Sequence, residues 1–400
     1  MPARAKRIAL TFCGALASAS VILSAGPGGA PAFASGSSVP DGITSVALAQ
    51  TDADMQKVVD WWTPDRLKRA NSYTPPDKSA PSSGSKTTSP SSTPAAATAT
   101  PAAAEAGSIS TKLDDKTRAV SGQVPPRTAD QVINSKNVNL PPTVGKVFFR
   151  IGNAEYWCSA SSVHSKYGNV VATAGHCAYD AKNGKPVEYW VFIPSYAGDG
   201  LTPYGIYVGH TLYLNGTYAA TGDFDYDYAF VTVHHGYKYA PDLDANGKPK
   251  KDAKGQTEYK RVDTGRLESQ VGGQGFAWNR GFTVAAYAFG YPAGPNGDGS
   301  RPFNGRTMES CLTPATSKIS TDKWDLQNGV LFKGCAFTSG ASGGPWLIKY
   351  SNTRRIGYLN GVNSITWDLD GNGRNDGVSS PYFNTATYAV YSYAARQKTD

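Results

Sequence analysis

The chain has 400 residues, of which 39 are basic, 31 acidic and five cysteine, and 40% are hydrophobic. Fourteen of the basic and ten of the acidic residues precede Val144, so the remainder carries 25 against 21, a balance that does not call for a nucleic-acid partner. Beyond the N-terminal stretch, no segment is apolar and long enough to span a bilayer.

The first seven residues include Arg4, Lys6 and Arg7, and Ile8 to Leu23 is apolar and small. Ala32-Phe33-Ala34 then supplies an A-x-A pattern, so 1–34 reads as a secretory signal with Ser35 as the new N-terminus. A retained anchor is the competing reading. Removing the signal takes Cys13 with it and leaves Cys158, Cys177, Cys311 and Cys335, an even set. In an exported chain that implies two disulfides, with three possible connectivities.

Met55, Val58, Val59 and Trp62 recur at helical spacing between Asp52 and Asn71, and Pro64 bounds or kinks the pattern. Tyr73 to Gly107 is Pro, Ser, Thr and Ala with almost nothing to bury, the composition of a linker. Residues 35–143 are therefore expected to be a pro-segment or flexible arm, and 144–400 the folded domain.

From Val144 short runs rich in Val, Ile, Tyr and Phe are punctuated by Gly, Pro and Asn. They include Val147 to Ile151, Tyr156 to His164, Val170 to Thr173, Tyr189 to Ile193, Tyr204 to Leu214, Tyr228 to Val233 and Phe282 to Phe289. Val330 to Phe332, Trp346 to Tyr350, Ile356 to Val362 and Tyr388 to Tyr393 continue the series. No convincing amphipathic helix interrupts them. The expected class is all-β, with 257 residues (Val144 to Asp400), enough for two small barrels or sandwiches.

Three stretches can carry chemistry. Ser342 lies in Thr338-Ser-Gly-Ala-Ser-Gly-Gly-Pro345, where the glycines permit a tight turn and close backbone approach. A nucleophilic serine needs such a loop, because backbone N–H groups must face the oxyanion that forms. His176, in Ala172-Thr-Ala-Gly-His-Cys177, follows an apolar strand, and Cys177 is expected to bond Cys158 on the partner strand. Asp223, Asp225 and Asp227 alternate before Tyr228-Ala-Phe-Val231, which would put all three on one face of an extended segment. Asp227, at the edge of the apolar run, is the best placed to orient an imidazole. The other two are expected to be solvated, with a cation site as the alternative use.

Taken together, Thr173-Ala-Gly-His-Cys177, Asp227-Tyr-Ala-Phe230 and Gly340-Ala-Ser-Gly-Gly-Pro345 resemble the chymotrypsin-like serine peptidases, in the same His, Asp, Ser order. Gly290-Tyr-Pro292, Cys311 and Gly361-Val-Asn-Ser364 resemble most the secreted bacterial branch that includes glutamyl endopeptidases. The resemblance implies a pair of six-stranded antiparallel barrels with the site in the cleft between them. It implies Ser342 as nucleophile, His176 as general base and Asp227 as its orienting acid. Gly340 and Ser342 N–H groups would form the oxyanion hole, and Ser364 would support the acid and begin the strand with which an extended substrate backbone pairs. Ala336 would lie at the base of the primary pocket, and Asn363 beside the substrate.

Ala341 departs from those animal members that carry an acid there to pair with a newly released N-terminus, so activation here would proceed differently, for example by unblocking the cleft. Neither Ala336 nor Asn363 is charged, which favours a neutral or small side chain in the pocket. Asp368, Asp370, Asn372 and Asp376 resemble a partial calcium loop, with a solvated turn as the alternative. Cys311–Cys335 would brace the approach to Ser342, crossed pairing being the other possibility.

The expectation is a secreted, extracellular, monomeric endopeptidase precursor that acts on proteins or peptides. It needs no cofactor or catalytic metal, binds no nucleic acid, and leaves the membrane after signal cleavage. A catalytically inactive binding or adhesion protein on the same fold is the main alternative. A nucleophile-elbow esterase is a weaker one, since Pro345 to Ile348 continues as a strand.

Overall fold

The computed structural model describes residues 39–76, 104–105, 107, 138–198 and 202–399. The expected signal sequence lies outside them, as does most of the 73–107 stretch. Strands dominate. Six of them close a ring: Val144–Ile151 pairs with Ala154–Val163, which continues through Val170–Thr173 and Ala229–Val233 to Tyr207–Asn215. Glu188–Pro194 joins that last strand back to the first through Tyr207↔Phe192 and Lys146↔Ile193.

Alternation along these strands decides what faces where. Val147, Phe149, Trp190 and Phe192 point into the barrel core, while Phe148, Val191 and Ile193 belong to a second apolar cluster on its outer side. An outward apolar face needs a cover, and the leader provides it. Ile43–Ala47 pairs antiparallel with Tyr207–Asn215. Helices α1 (Asp52–Trp61) and α2 (Pro64–Arg69) follow, each opened by a threonine whose side chain accepts the N–H three residues on. They bury Val58, Val59, Trp62 and Leu67 in the outer cluster. Residues 39–76 thus fold as part of the same unit as the domain at 144–400.

The second half holds two sheets. Glu309–Thr313, Ala286–Gly290, Pro345–Ser351, Ile356–Val362 and Gly275–Ala277 form one, with Ala104–Glu105 of the leader at its edge. Ser317–Thr321, Leu326–Lys333, Gly377–Pro381 and Ile365–Trp367 form the other. Ala288, Trp346 and Ile348 from the first sheet share one core with Val330, Phe332 and Val378 from the second. The disulfides are Cys158–Cys177 and Cys311–Cys335.

Two local expectations are corrected. Tyr388 to Tyr393 is not a strand but part of the helix Thr385–Ala394. Asn384 and Thr387 form a reciprocal capping box, and Thr387, Val390, Tyr391 and Ala394 make a buried helical stripe. The acidic stretch is not extended either. Asp223 caps a 3₁₀ turn over Phe224–Tyr226 by accepting the Asp225 N–H at 2.9 Å, so the three carboxylates diverge.

Candidate active site

His176 sits in the 3₁₀ turn Gly175–Cys177 that ends the strand Val170–Thr173. The Cys158–Cys177 bridge ties this turn to the neighbouring strand. Gly175 is required at the turn: a Cβ there would lie 2.8 Å from the Tyr218 ring and 3.0 Å from Asp227 Oδ1. That proximity lets Asp227 grip the histidine twice. Its Oδ1 accepts the His176 backbone N–H at 2.8 Å, and Oδ2 lies 2.9 Å from Nδ1. Ser364 Oγ donates to the same Oδ2 at 2.5 Å.

Asp227 is fully buried. Burial alone would raise its carboxyl, but the His176 charge and the bonds from His176 and Ser364 outweigh it and hold the group below the ordinary carboxylate value. With Nδ1 committed to the carboxylate, Nε2 is left facing the other way. It is buried and has no hydrogen-bond partner among the described residues.

The loop that carries Ser342 packs against this turn from the second half. Ser159 N donates to Ser342 O at 2.7 Å, and Ser159 Oγ to Gly340 O at 2.9 Å. Gly343 takes φ +79° where a Cβ would lie 2.1 Å from Thr173 Oγ1, so only glycine lets the loop approach the His176 strand. Ala341, Gly343 and Gly344 spend their N–H groups on Thr338 O, Asn363 O and Ala341 O. Among the described residues Gly340 and Ser342 N–H donate to nothing, which is the state expected of donors kept for a ligand. Ser342 itself is 8% exposed.

The remaining expected residues are placed as follows. Ala336 is partly exposed, next to the Cys311–Cys335 bridge. Asn363 lies beneath the serine loop rather than in the cleft, only 1% exposed. Its Nδ2 donates to Ala341 O and Phe289 O, both at 2.9 Å, and its Oδ1 accepts from Trp346 Nε1 at 2.8 Å. Its backbone also accepts from Gly343 and donates to Gly344. With those polar atoms used inside the protein, Asn363 is a brace for the loop. Ser364 spends its hydroxyl on Asp227, and its backbone N–H donates to Ser379 O at 2.8 Å.

Asp225, expected to be solvated, is half-buried and accepts the N–H groups of Gln327 and Asn328 at 3.0 and 2.7 Å, joining the two halves. Burial raises its carboxyl despite these bonds. Around Asp368 the carboxylates accept the loop's own N–H groups, as in an Asx turn: Asp368 bonds Asn372 and Gly373, and Asp376 bonds Leu369. The Asp376 carbonyl meanwhile accepts from Gly334 and Cys335, so this loop buttresses the segment holding Ala336.

What sequence reasoning missed is Tyr73. Leader residues Asn71 and Ser72 add a parallel strand to Tyr156 and Trp157, and Tyr73 N donates to Trp157 O at 3.0 Å. The Tyr73 ring centroid then lies 6.0 Å from that of His176. A cavity of about 240 Å³ adjoins the imidazole, walled by Tyr73, Pro75 and Pro76 of the leader and by Tyr179, Tyr218 and Phe224.

No family model and no curated relative matches the chain. Solved structures do resemble it. It is similar to bacterial serine proteases. The thermostable serine protease AL20 from an extremophilic microorganism is 27% identical, over 64% of this chain and 97% of that one, with a TM-score of 0.49. The protease Anisep from Arthrobacter nicotinovorans is 28% identical over 64% and 96%, also at 0.49. A Glu endopeptidase in complex with MPD is 16% identical over 67% and 96%, at 0.42.

Proposed function

We propose that the chain is a secreted serine endopeptidase, made as a precursor, that cleaves peptide bonds through an acyl-enzyme. The observation that carries this is the relay around His176: a buried carboxylate fixes Nδ1 and leaves Nε2 unpartnered among the described residues, while the Ser342 loop packs against the strand that leads to His176. That is the tautomer a general base requires.

In this reading the Ser342 hydroxyl proton passes to His176 Nε2 as Oγ bonds the substrate carbonyl carbon. The oxyanion is received by the two uncommitted N–H groups of Gly340 and Ser342, a stabilisation of roughly 2.7–4 kcal/mol per donor. The C–N bond then breaks, and the leaving amine takes the proton from Nε2. Water, deprotonated by the same nitrogen, then attacks the acyl carbon, the ester bond to Ser342 Oγ breaks, and Nε2 returns the proton to Oγ. Asp227 stabilises the imidazolium without taking up the proton. No metal or cofactor enters these steps.

The uncharged Ala336 favours neutral or small side chains in the primary pocket. Two disulfides suit an oxidising, extracellular setting. No helix among the described residues is long and apolar enough to cross a membrane. The substrates are then proteins or peptides, met by a monomer.

The test is cleavage of a mixed peptide library by protein freed of its leader, alongside Ser342→Ala. Cleavage by the wild type alone, after neutral residues, supports the reading. Equal cleavage by both, or none by either, overturns it.

A further inference from the structure

The leader makes two different kinds of contact. Residues 39–70 anchor it. Ile43–Ala47 pairs with the barrel strand Tyr207–Asn215, Trp62 is 1% exposed against Phe148, and Trp62 Nε1 donates to Tyr189 O at 2.5 Å. Trp61 stacks on Tyr189 at 4.5 Å between centroids, with Arg66 3.8 Å above the Trp61 ring. Arg66 and Arg69 both bind Glu155, at 2.5 and 3.0 Å, on the strand that also carries Trp157 and Ser159.

Residues 71–76 plug the site. Ser72 faces Gly340, where a Cβ would come within 3.0 Å of the Ser72 Cβ. Tyr73, 9% exposed, shares the imidazole's surroundings with Phe224, and Pro75 and Pro76 line the adjoining cavity. Gly340 and the His176 ring thus lie beside leader side chains, and among the described residues neither the Gly340 N–H nor Nε2 bonds to them.

We infer that residues 39–76 form a separable inhibitor module, whose docking surface is the outer face of the first barrel, and that it stays bound and keeps the site covered after the chain is cut between 77 and 103. The module's apolar contacts and its strand pairing are noncovalent and complete by Pro76, so severing the Pro/Ser/Thr/Ala-rich stretch beyond it removes none of them. Activation then requires the fragment to dissociate or be degraded. The inhibitory role, though not the docking, rests on the serine-peptidase reading.

The experiment uses the full chain with a specific protease sequence placed within residues 84–95, cut and passed through gel filtration. Acylation of His176 by diethylpyrocarbonate, mapped by mass spectrometry, reports cover without any need for catalysis, and is run also on Ser342→Ala. The N-terminal fragment should co-elute, and His176 should stay protected until the fragment is stripped. Tyr73→Ala should speed modification at least tenfold while the fragment still co-elutes, and Tyr73→Phe should retain protection.

Loss of the fragment on cutting overturns the inference, as does an unchanged modification rate in Tyr73→Ala. Fluorophosphonate labelling of Ser342 that begins only on stripping supports the inhibitory role. If His176 becomes reactive but Ser342 never labels, the docking stands and the inhibitory role falls together with the serine-peptidase reading.

Discussion

Replacing Asn363 by alanine should unbrace the serine loop and cost both stability and activity. Two buried groups lose their side-chain partner, the Phe289 carbonyl and the indole N–H of Trp346, while the Ala341 carbonyl keeps the Gly344 N–H. Each buried group left unsatisfied costs about 1–3 kcal/mol, so the gross penalty is roughly 2–6 kcal/mol. The lower end is expected, since a water can enter the vacated polar space. For a domain near this size about 2 kcal/mol lowers the melting temperature by roughly 4–8 °C. Loop displacement of about 1 Å should also slow reaction at Ser342 by about 100-fold.

Thermal unfolding together with fluorophosphonate labelling of leader-free protein measures both effects. A pocket-lining role predicts the opposite pattern, an altered KM with an unchanged melting temperature. Melting within 2 °C of wild type and labelling at the wild-type rate would refute the bracing role.

Other perturbations follow from the same geometry. Asp227→Asn should lower kcat by about 10⁴-fold, because its amide N–H would face Nδ1 and favour the wrong tautomer; steady-state kinetics read this directly. Ala341→Asp should destabilise the fold, since Ala341 is 1% exposed against Gly290 and a carboxylate there would be buried without a built-in partner; thermal unfolding checks it. Trp62→Ala should cost the leader's docking about 3–5 kcal/mol and release the cut fragment on gel filtration.

Acid should loosen the leader as well. Burial raises the Glu155 carboxyl, but Arg69 and Arg66 outweigh it, so its value with the leader docked lies below the usual 4.5. A carboxyl depressed in this way contributes its stabilisation fully above 4.5 and loses it as pH falls through the depressed value. Retention of the fragment should therefore weaken below about pH 4.5, and Glu155→Gln should abolish that dependence.

The barrel strands were legible because each short Val/Tyr/Phe run is bounded by Gly, Pro or Asn, and both cysteine pairs followed from the proximity of their members. The helix at 385–394 was not, because Tyr, Val and Thr favour strands. The sign of helix was Asn384 followed three residues later by Thr387, a cap that outweighs propensity once Tyr391 stacks on Phe276 at 4.0 Å. The acidic stretch misleads for a related reason: its alternation has the period of a strand, while Asp223 folds the backbone locally.

Leader docking left a trace in sequence that periodicity alone does not decode. Trp190-Val-Phe-Ile193 is apolar on both faces, which in an antiparallel barrel demands an outer cover, but nothing in that run says what supplies it. Asn363 is harder still, since a polar residue near the site reads equally as substrate contact or as brace until its partners are seen.

The account stands on Ser342 being the nucleophile that His176 activates. Mass-spectrometric mapping of a fluorophosphonate adduct on leader-free protein tests this most directly. The adduct should fall on Ser342 alone, vanish in Ser342→Ala and form far more slowly in His176→Ala. Absence of an adduct at Ser342 while diethylpyrocarbonate reaches His176 would contradict it.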